Sequence, residues 1–182
     1  MPLAYEHRAK PPSFTHAPDL WDTSVSRPKD ENHFSDYVKR HLESDLKGRG
    51  IVALREVEIR RGEGDGKGER TDIHVTGIVH GLESGKFDQV RVIIEVKGSW
   101  HAEVDTAMQT QLVDRYLKDN ECQHGIYLVG FFHCPQWDKN DGRYKSSRKE
   151  LVEQYISRFE SQASAINTPP TIQPFVLDCS LR

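Results

Sequence analysis

Asp72, Glu95 and Lys97 have the residue types and the spacing that hydrolysis of a phosphate ester requires. Glu95 and Lys97 stand two apart in the run Ile93-Ile94-Glu95-Val96-Lys97. In a strand that spacing sends both side chains to one face and Val96 to the other. Asp72 follows Arg70-Thr71 at the start of the preceding alternating segment, so neighbouring strands can set it beside Glu95. Two carboxylates with a carbonyl make a hard-oxygen set suited to Mg²⁺ or Mn²⁺. Such an ion neutralises charge on a scissile phosphate and lowers the pKa of an attacking water. We therefore expect Asp72, Glu95 and the Val96 carbonyl as metal ligands. Lys97 is expected to orient or help deprotonate the water and to offset developing charge. A Glu-x-Lys on a strand is ordinarily a solvated salt pair. Here the remaining residues of the strand are almost all apolar, and unpaired charge in such a place is expensive.

Other polar positions belong to the same reading. Winding residues 102–119 as an α-helix at 100° per residue from Val104 places Ala107, Met108, Gln111, Leu112 and Arg115 on one face. Gln111 and Arg115, four apart, then become polar neighbours on the side toward the sheet. They would serve the site or a structural hydrogen-bond network. On an earlier helix Glu31 and Asp45 lie on the inward stripe and Glu43 nearly opposite. The plain account of Glu31 is a helix-start acid meeting the macrodipole. Positive charge for a phosphate backbone is sought in Arg55, Arg60, Arg61, Lys67 and Arg70 around the first hairpin, and in Lys145, Arg148 and Lys149. Such groups give salt-dependent affinity without reading sequence. Trp100-His101 is expected to pack under the next helix rather than to stack on a base. The glycine-rich run at 62–68 lacks the Gly-Lys-Ser/Thr ending of a phosphate loop.

The elements that must position these residues follow from periodicity. Residues 1–30 hold five of the nine prolines and are read as an irregular arm that packs Leu20 and Trp21 onto the domain. Phe34, Tyr37, Val38, His41 and Leu42 recur at helical spacing over 31–46, and Gly48 and Gly50 end that helix. Strands are expected at 51–59, 71–79 and 90–96, the last a central one covered on both faces. A helix over 102–119, a buried strand over 125–132 and a polar, Trp-bearing loop over 134–143 come next. A helix near 147–163 and a strand near 172–177 close the chain. The fold class is α/β, a mixed central sheet flanked by helices, forming a single domain over 31–182 with its core at 31–132 and a C-terminal helix and strand at 145–178.

Composition bounds the rest. The chain has 182 residues, 36% hydrophobic and 29% charged, with a formal net charge of −3. That balance describes a soluble globular domain and leaves a nucleic-acid partner neither indicated nor opposed, because only one face needs positive potential. No apolar run approaches the roughly 18 residues of a membrane span, and no signal-like stretch occurs near the N-terminus. A cytoplasmic setting without membrane contact is expected. Cys122, Cys134 and Cys179 are three and irregularly spaced, so buried free thiols are expected rather than disulfides or zinc.

The set Arg70-Thr71-Asp72, Ile93-Ile94-Glu95-Val96-Lys97 and Gln111 on the following helix resembles the PD-(D/E)XK nuclease superfamily. Its restriction-endonuclease-like core runs helix, three strands, helix, strand, an order that 31–132 matches. Thr71 replaces the proline before the aspartate, and Tyr116 falls one residue later than in a strict Gln-x-x-x-Tyr. The resemblance implies Mg²⁺-dependent cleavage of DNA, with Asp72 and Glu95 at the metal, Lys97 at the water and Gln111 as a site residue. It also implies a first-helix acid near the metal, for which Glu31 is chosen, while Arg60, Arg61, Arg70 and Arg115 are read as facing substrate. It further implies work in defence, restriction or repair, a homodimer for cutting both strands, or service as the effector of a larger ATPase or sensor. The competing reading is a module on the same fold that binds nucleic acid or a protein without cutting.

Overall fold

A computed structural model describes residues 17–60, 69–80, 87–147, 150–166 and 169–181. Within them, a 3₁₀ turn (Ala17–Leu20) and two short paired strands, β1 (Trp21–Asp22) and β2 (Arg27–Pro28), precede helix α1 (Glu31–Leu46). Strands β3 (Ile51–Arg60), β4 (Glu69–His80) and β5 (Phe87–Gly98) follow, then a π-helix (Met108–Leu117) and β6 (His124–Phe131). Helices α2 (Gly142–Ser146) and α3 (Val152–Ala165) and strand β7 (Thr171–Asp178) complete the order.

The five long strands form one mixed sheet in the order β3-β4-β5-β6-β7. The β3–β4 and β4–β5 pairs are antiparallel, and β5–β6 and β6–β7 are parallel. The expected α/β class with helices flanking a mixed sheet is therefore what forms. Two apolar layers cover its faces. On one, Phe34 and Tyr37 of α1 pack with Ile73, Ile94, Val96 and the aromatics Trp21, Trp100, Phe132 and Trp137. On the other, Met108, Leu112, Tyr116 and Leu117 of the π-helix pack with Ile93, Tyr127, Val129 and, from α3, Tyr155 and Phe159. β5 lies centrally, which is why its Ile93, Ile94 and Val96 are buried and why its sequence reads as a nearly unbroken apolar run.

The end of the N-terminal arm packs Leu20 and Trp21 onto the domain as expected, with Trp21 Nε1 donating to the Cys179 carbonyl at 2.7 Å. It is, however, ordered as a turn and two short strands rather than irregular. The polar loop after β6 likewise buries Trp137, whose Nε1 donates to Asp141 Oδ2. Its surface charges tie it to the arm, Arg27 with Asp138 and Arg143 with the Pro28 carbonyl. The helix over 102–119 is wound instead as a turn followed by ten residues of π-helix. The three cysteines are buried and free, and no helix among the described residues is long and apolar enough to cross a membrane.

Candidate active site on the central strands

The antiparallel register sets Ile73 opposite Ile94. One step further, Asp72 falls beside Glu95. Ile73 and Ile94 both point into the α1 layer, so by the alternation of a strand Asp72, Glu95 and Lys97 share the opposite face. Just past the last strand pair the Val96 amide donates to Asp72 Oδ2 at 2.9 Å, which fixes the Asp72 carboxylate against β5.

Glu95 is 1% exposed and Lys97 5%. Lys97 Nζ lies 2.6 Å from Glu95 Oε1 and 3.4 Å from Glu31 Oε1. The shorter of these contacts makes the Lys97 ammonium the close cationic partner of the Glu95 carboxylate. Glu31 sits in the first turn of α1 and reaches around the end of β5, where its Oε2 accepts from the Gly98 amide at 3.1 Å. The acid selected from the first helix thus stands at the cluster. Glu43 is turned away and pairs with Lys39 at 2.6 Å, and Asp45 is exposed. Gly98 permits the chain to fold back after Lys97, because a Cβ there would meet the Trp100 ring at 2.6 Å. Trp100 is packed, its ring centroid 4.5 Å from that of Phe132, but in the layer of α1 rather than under the next helix as expected.

The electrostatics follow from burial and crowding. Burial, then the neighbouring Asp72 charge, pushes the Glu95 carboxyl up to about 8. Burial also raises Asp72, against the Val96 amide and Lys97, which favour its charged form. For Lys97 burial works toward deprotonation, but the Glu95, Glu31 and Asp72 carboxylates outweigh it and hold the ammonium above its ordinary value. The site therefore keeps a firmly charged lysine beside two carboxyls that resist ionising together. Tyr116 is raised to about 12 by burial, then by the charges of Glu95 and Asp72. Tyr116 of the π-helix is buried in the apolar layer on that face of the sheet.

Gln111 and Arg115 are not placed as expected. Gln111 Nε2 donates to Glu103 Oε2 at 2.6 Å, a partner outside the cluster, and Arg115 is exposed. The cause is the winding. Bonding from i to i+5 turns each residue by roughly 10–20° less than an α-helix does, which accumulates to about a quarter turn between Met108 and Arg115. Arg115 rotates off the sheet-facing stripe and Tyr116 rotates onto it. Among the basic residues sought near the first hairpin, Arg55 is turned inward to α1, donating to the Asn32 carbonyl and side chain at 3.0 and 3.2 Å. Arg60 and Arg70 lie on β3 and β4, with side chains outside the described residues. Arg61, Lys67, Arg148 and Lys149 lie outside them entirely. Lys145 is exposed on α2.

Among the described residues, no three histidine, cysteine, aspartate or glutamate side chains are gathered as a ready metal-binding group. Asp72 and Glu95 nevertheless fit a hard divalent ion. Both are carboxylates, they sit side by side, and the two Glu95 oxygens are buried. Comparison of the chain with protein-family models, with curated proteins and with solved structures returns no match.

Proposed function

We propose that the chain is a metal-dependent nuclease of the PD-(D/E)XK kind that hydrolyses phosphodiester bonds of DNA. The observation that carries the reading is the buried juxtaposition of Asp72, Glu95 and Lys97 on one face of the central strands. Burying an acid pair with one lysine costs stability, and an apolar trio of similar volume would hold these strands at least as well. A chemical use accounts for their presence. The element order supports the same reading: α1, the β3-β4-β5 meander, a helix and parallel β6 follow the restriction-endonuclease-like sequence of elements.

Asp72, Glu95 and the Val96 carbonyl would hold Mg²⁺ or Mn²⁺, with Glu31 at the margin of that set. When bound, the ion supplies charge neutralisation at the scissile phosphate and lowers the pKa of the attacking water. The chain's own residues do the rest. Glu95 must give up its proton to serve as a ligand, a step its raised pKa opposes at neutral pH until positive charge arrives. Lys97 keeps its proton, so it works as a cationic hydrogen-bond donor that orients the water and offsets charge on the phosphate rather than as the base. Tyr116 and Tyr127, the latter beside Glu95 in the strand register, are buried on this face of the sheet. A DNA partner, a homodimer that cuts both strands and a larger ATPase or sensor in a defence, restriction or repair setting belong to this proposal.

The test is incubation of the full chain with supercoiled plasmid, single-stranded DNA and RNA in Mg²⁺, Mn²⁺ or EDTA. Metal-dependent nicking or linearisation supports the reading. A folded chain that cuts none of these substrates moves the assignment to a module that binds nucleic acid or a protein partner without cutting.

A further inference from the structure

Arg55 carries an argument that the acid cluster alone does not. It pairs across the β3–β4 ladder with Ile73, the neighbour of Asp72, while its side chain, 13% exposed, crosses to the first turn of α1. There one guanidinium nitrogen donates to the Asn32 carbonyl at 3.0 Å and lies 2.5 Å from Asp36 Oδ1, and the other donates to Asn32 Oδ1 at 3.2 Å. Asn32 adjoins Glu31, whose carboxylate spans the Gly98 amide and the Lys97 ammonium at 3.1 and 3.4 Å. The same turn is capped by Asp30, which accepts from the His33 amide at 2.9 Å. A planar fork that engages three acceptors on one helical turn fixes orientation as well as distance, which an ammonium cannot do.

We propose that Arg55 is a positioning residue: it locks the first turn of α1 to the strand beside Asp72 and so sets Glu31 against Gly98 and Lys97. Its role in cleavage rests on the nuclease reading above, but its action on Glu31 does not. Without the fork, α1 can slide relative to the sheet, and a displacement of about 1 Å is enough to cost a reaction roughly a hundredfold.

The experiment is amide-resolved NMR of the full, metal-free chain, following the Gly98 N–H in wild type, Arg55→Met, Glu31→Gln and the double variant. Methionine keeps the apolar stem of the arginine and removes the fork. We expect Arg55→Met to move the Gly98 resonance in the same direction as Glu31→Gln, to speed its hydrogen exchange at least tenfold, and to add nothing in the Glu31→Gln background. A Gly98 amide that Arg55→Met leaves unmoved, or two effects that simply add, overturns the proposal. Should Arg55→Met fail to fold, the pair Asn32→Ala and Asp36→Ala, both at exposed positions of α1, removes the two side-chain acceptors of the fork and leaves the Asn32 carbonyl. A shift of the Gly98 resonance in the same direction is then expected, and an unmoved Gly98 amide overturns the proposal. Mg²⁺-dependent cleavage is expected to fall roughly ten- to a hundredfold in either single variant and no further in the double. If the Gly98 amide responds as expected in a chain that cuts nothing, the positioning role of Arg55 stands and the nuclease reading falls.

Discussion

Lys97 and Glu95, two apart on β5, form an ion pair with Nζ 2.6 Å from Oε1 and side-chain exposures of 7% and 1%. Removing one partner of such a buried pair costs about 3–5 kcal/mol, because the other charge is left uncompensated. Lys97→Met is therefore expected to destabilise the metal-free chain by roughly that amount above pH 8, where Glu95 is ionised. The loss shrinks near pH 5.5, where Glu95 carries a proton. Urea unfolding at the two pH values measures this, and a loss independent of pH would contradict it.

The pH dependence of the wild type follows from the same carboxyl. Glu95 rises from 4.5 to about 8 on folding, so the folded state holds this proton more tightly than the unfolded chain does. Its contribution to stability is then fully present below about pH 4.5 and is lost as pH rises through about 8. The raised Asp72 acts in the same sense. Metal-free stability is expected to decline between pH 5 and 8.5, and Glu95→Gln is expected to flatten that decline. Calorimetry of both chains across the range decides the matter.

A divalent ion should reverse the trend. Binding to the folded state alone stabilises by roughly 2–3 kcal/mol when free ion exceeds Kd a hundredfold. Mn²⁺ is thus expected to raise the Tm more at pH 8 than at pH 6, since the Glu95 proton must leave, and to raise it little in Asp72→Asn. Equal Tm shifts in wild type and Asp72→Asn would remove Asp72 from the ligand set.

The π-helix makes opposite demands on adjacent residues. Arg115 is exposed and Tyr116 is 9% exposed. Arg115→Ala is expected within about 0.5 kcal/mol of wild type, and Tyr116→Ala is expected to cost about 3–5 kcal/mol as a large aromatic truncation in a core. An α-helical winding would reverse the ranking, so denaturant melts of the two variants report on the winding directly.

Much of this architecture was legible from short-range pattern. The stripe Phe34, Tyr37, Val38 and Leu42 marks α1, and the apolar run around Ile93 and Ile94 marks a central strand, because burial on one face or on two writes directly into periodicity. The Asp72–Glu95 pairing was legible because alternation and one hairpin fix which residues can meet. Glu31 was reachable from the helical wheel, but its bond to the Gly98 amide depends on where a helix end lies against a strand end, which no local pattern records. The core role of Trp137 was hidden for the same reason: it lies in an irregular segment whose burial is decided by distant partners. Arg115 was misplaced because 100° per residue was assumed where the helix winds more widely. Arg55 looked like surface charge because a single arginine on a strand does not announce the helix it grips.

The most direct measurement compares plasmid cleavage in Mg²⁺ by wild type, Asp72→Ala, Lys97→Ala and the remote Glu43→Ala, each shown to be folded. The account predicts cleavage by wild type and Glu43→Ala that EDTA abolishes, with a loss of at least a hundredfold in Asp72→Ala and Lys97→Ala. Cleavage that persists in both of those variants, or that proceeds in EDTA, would contradict the assignment of this site.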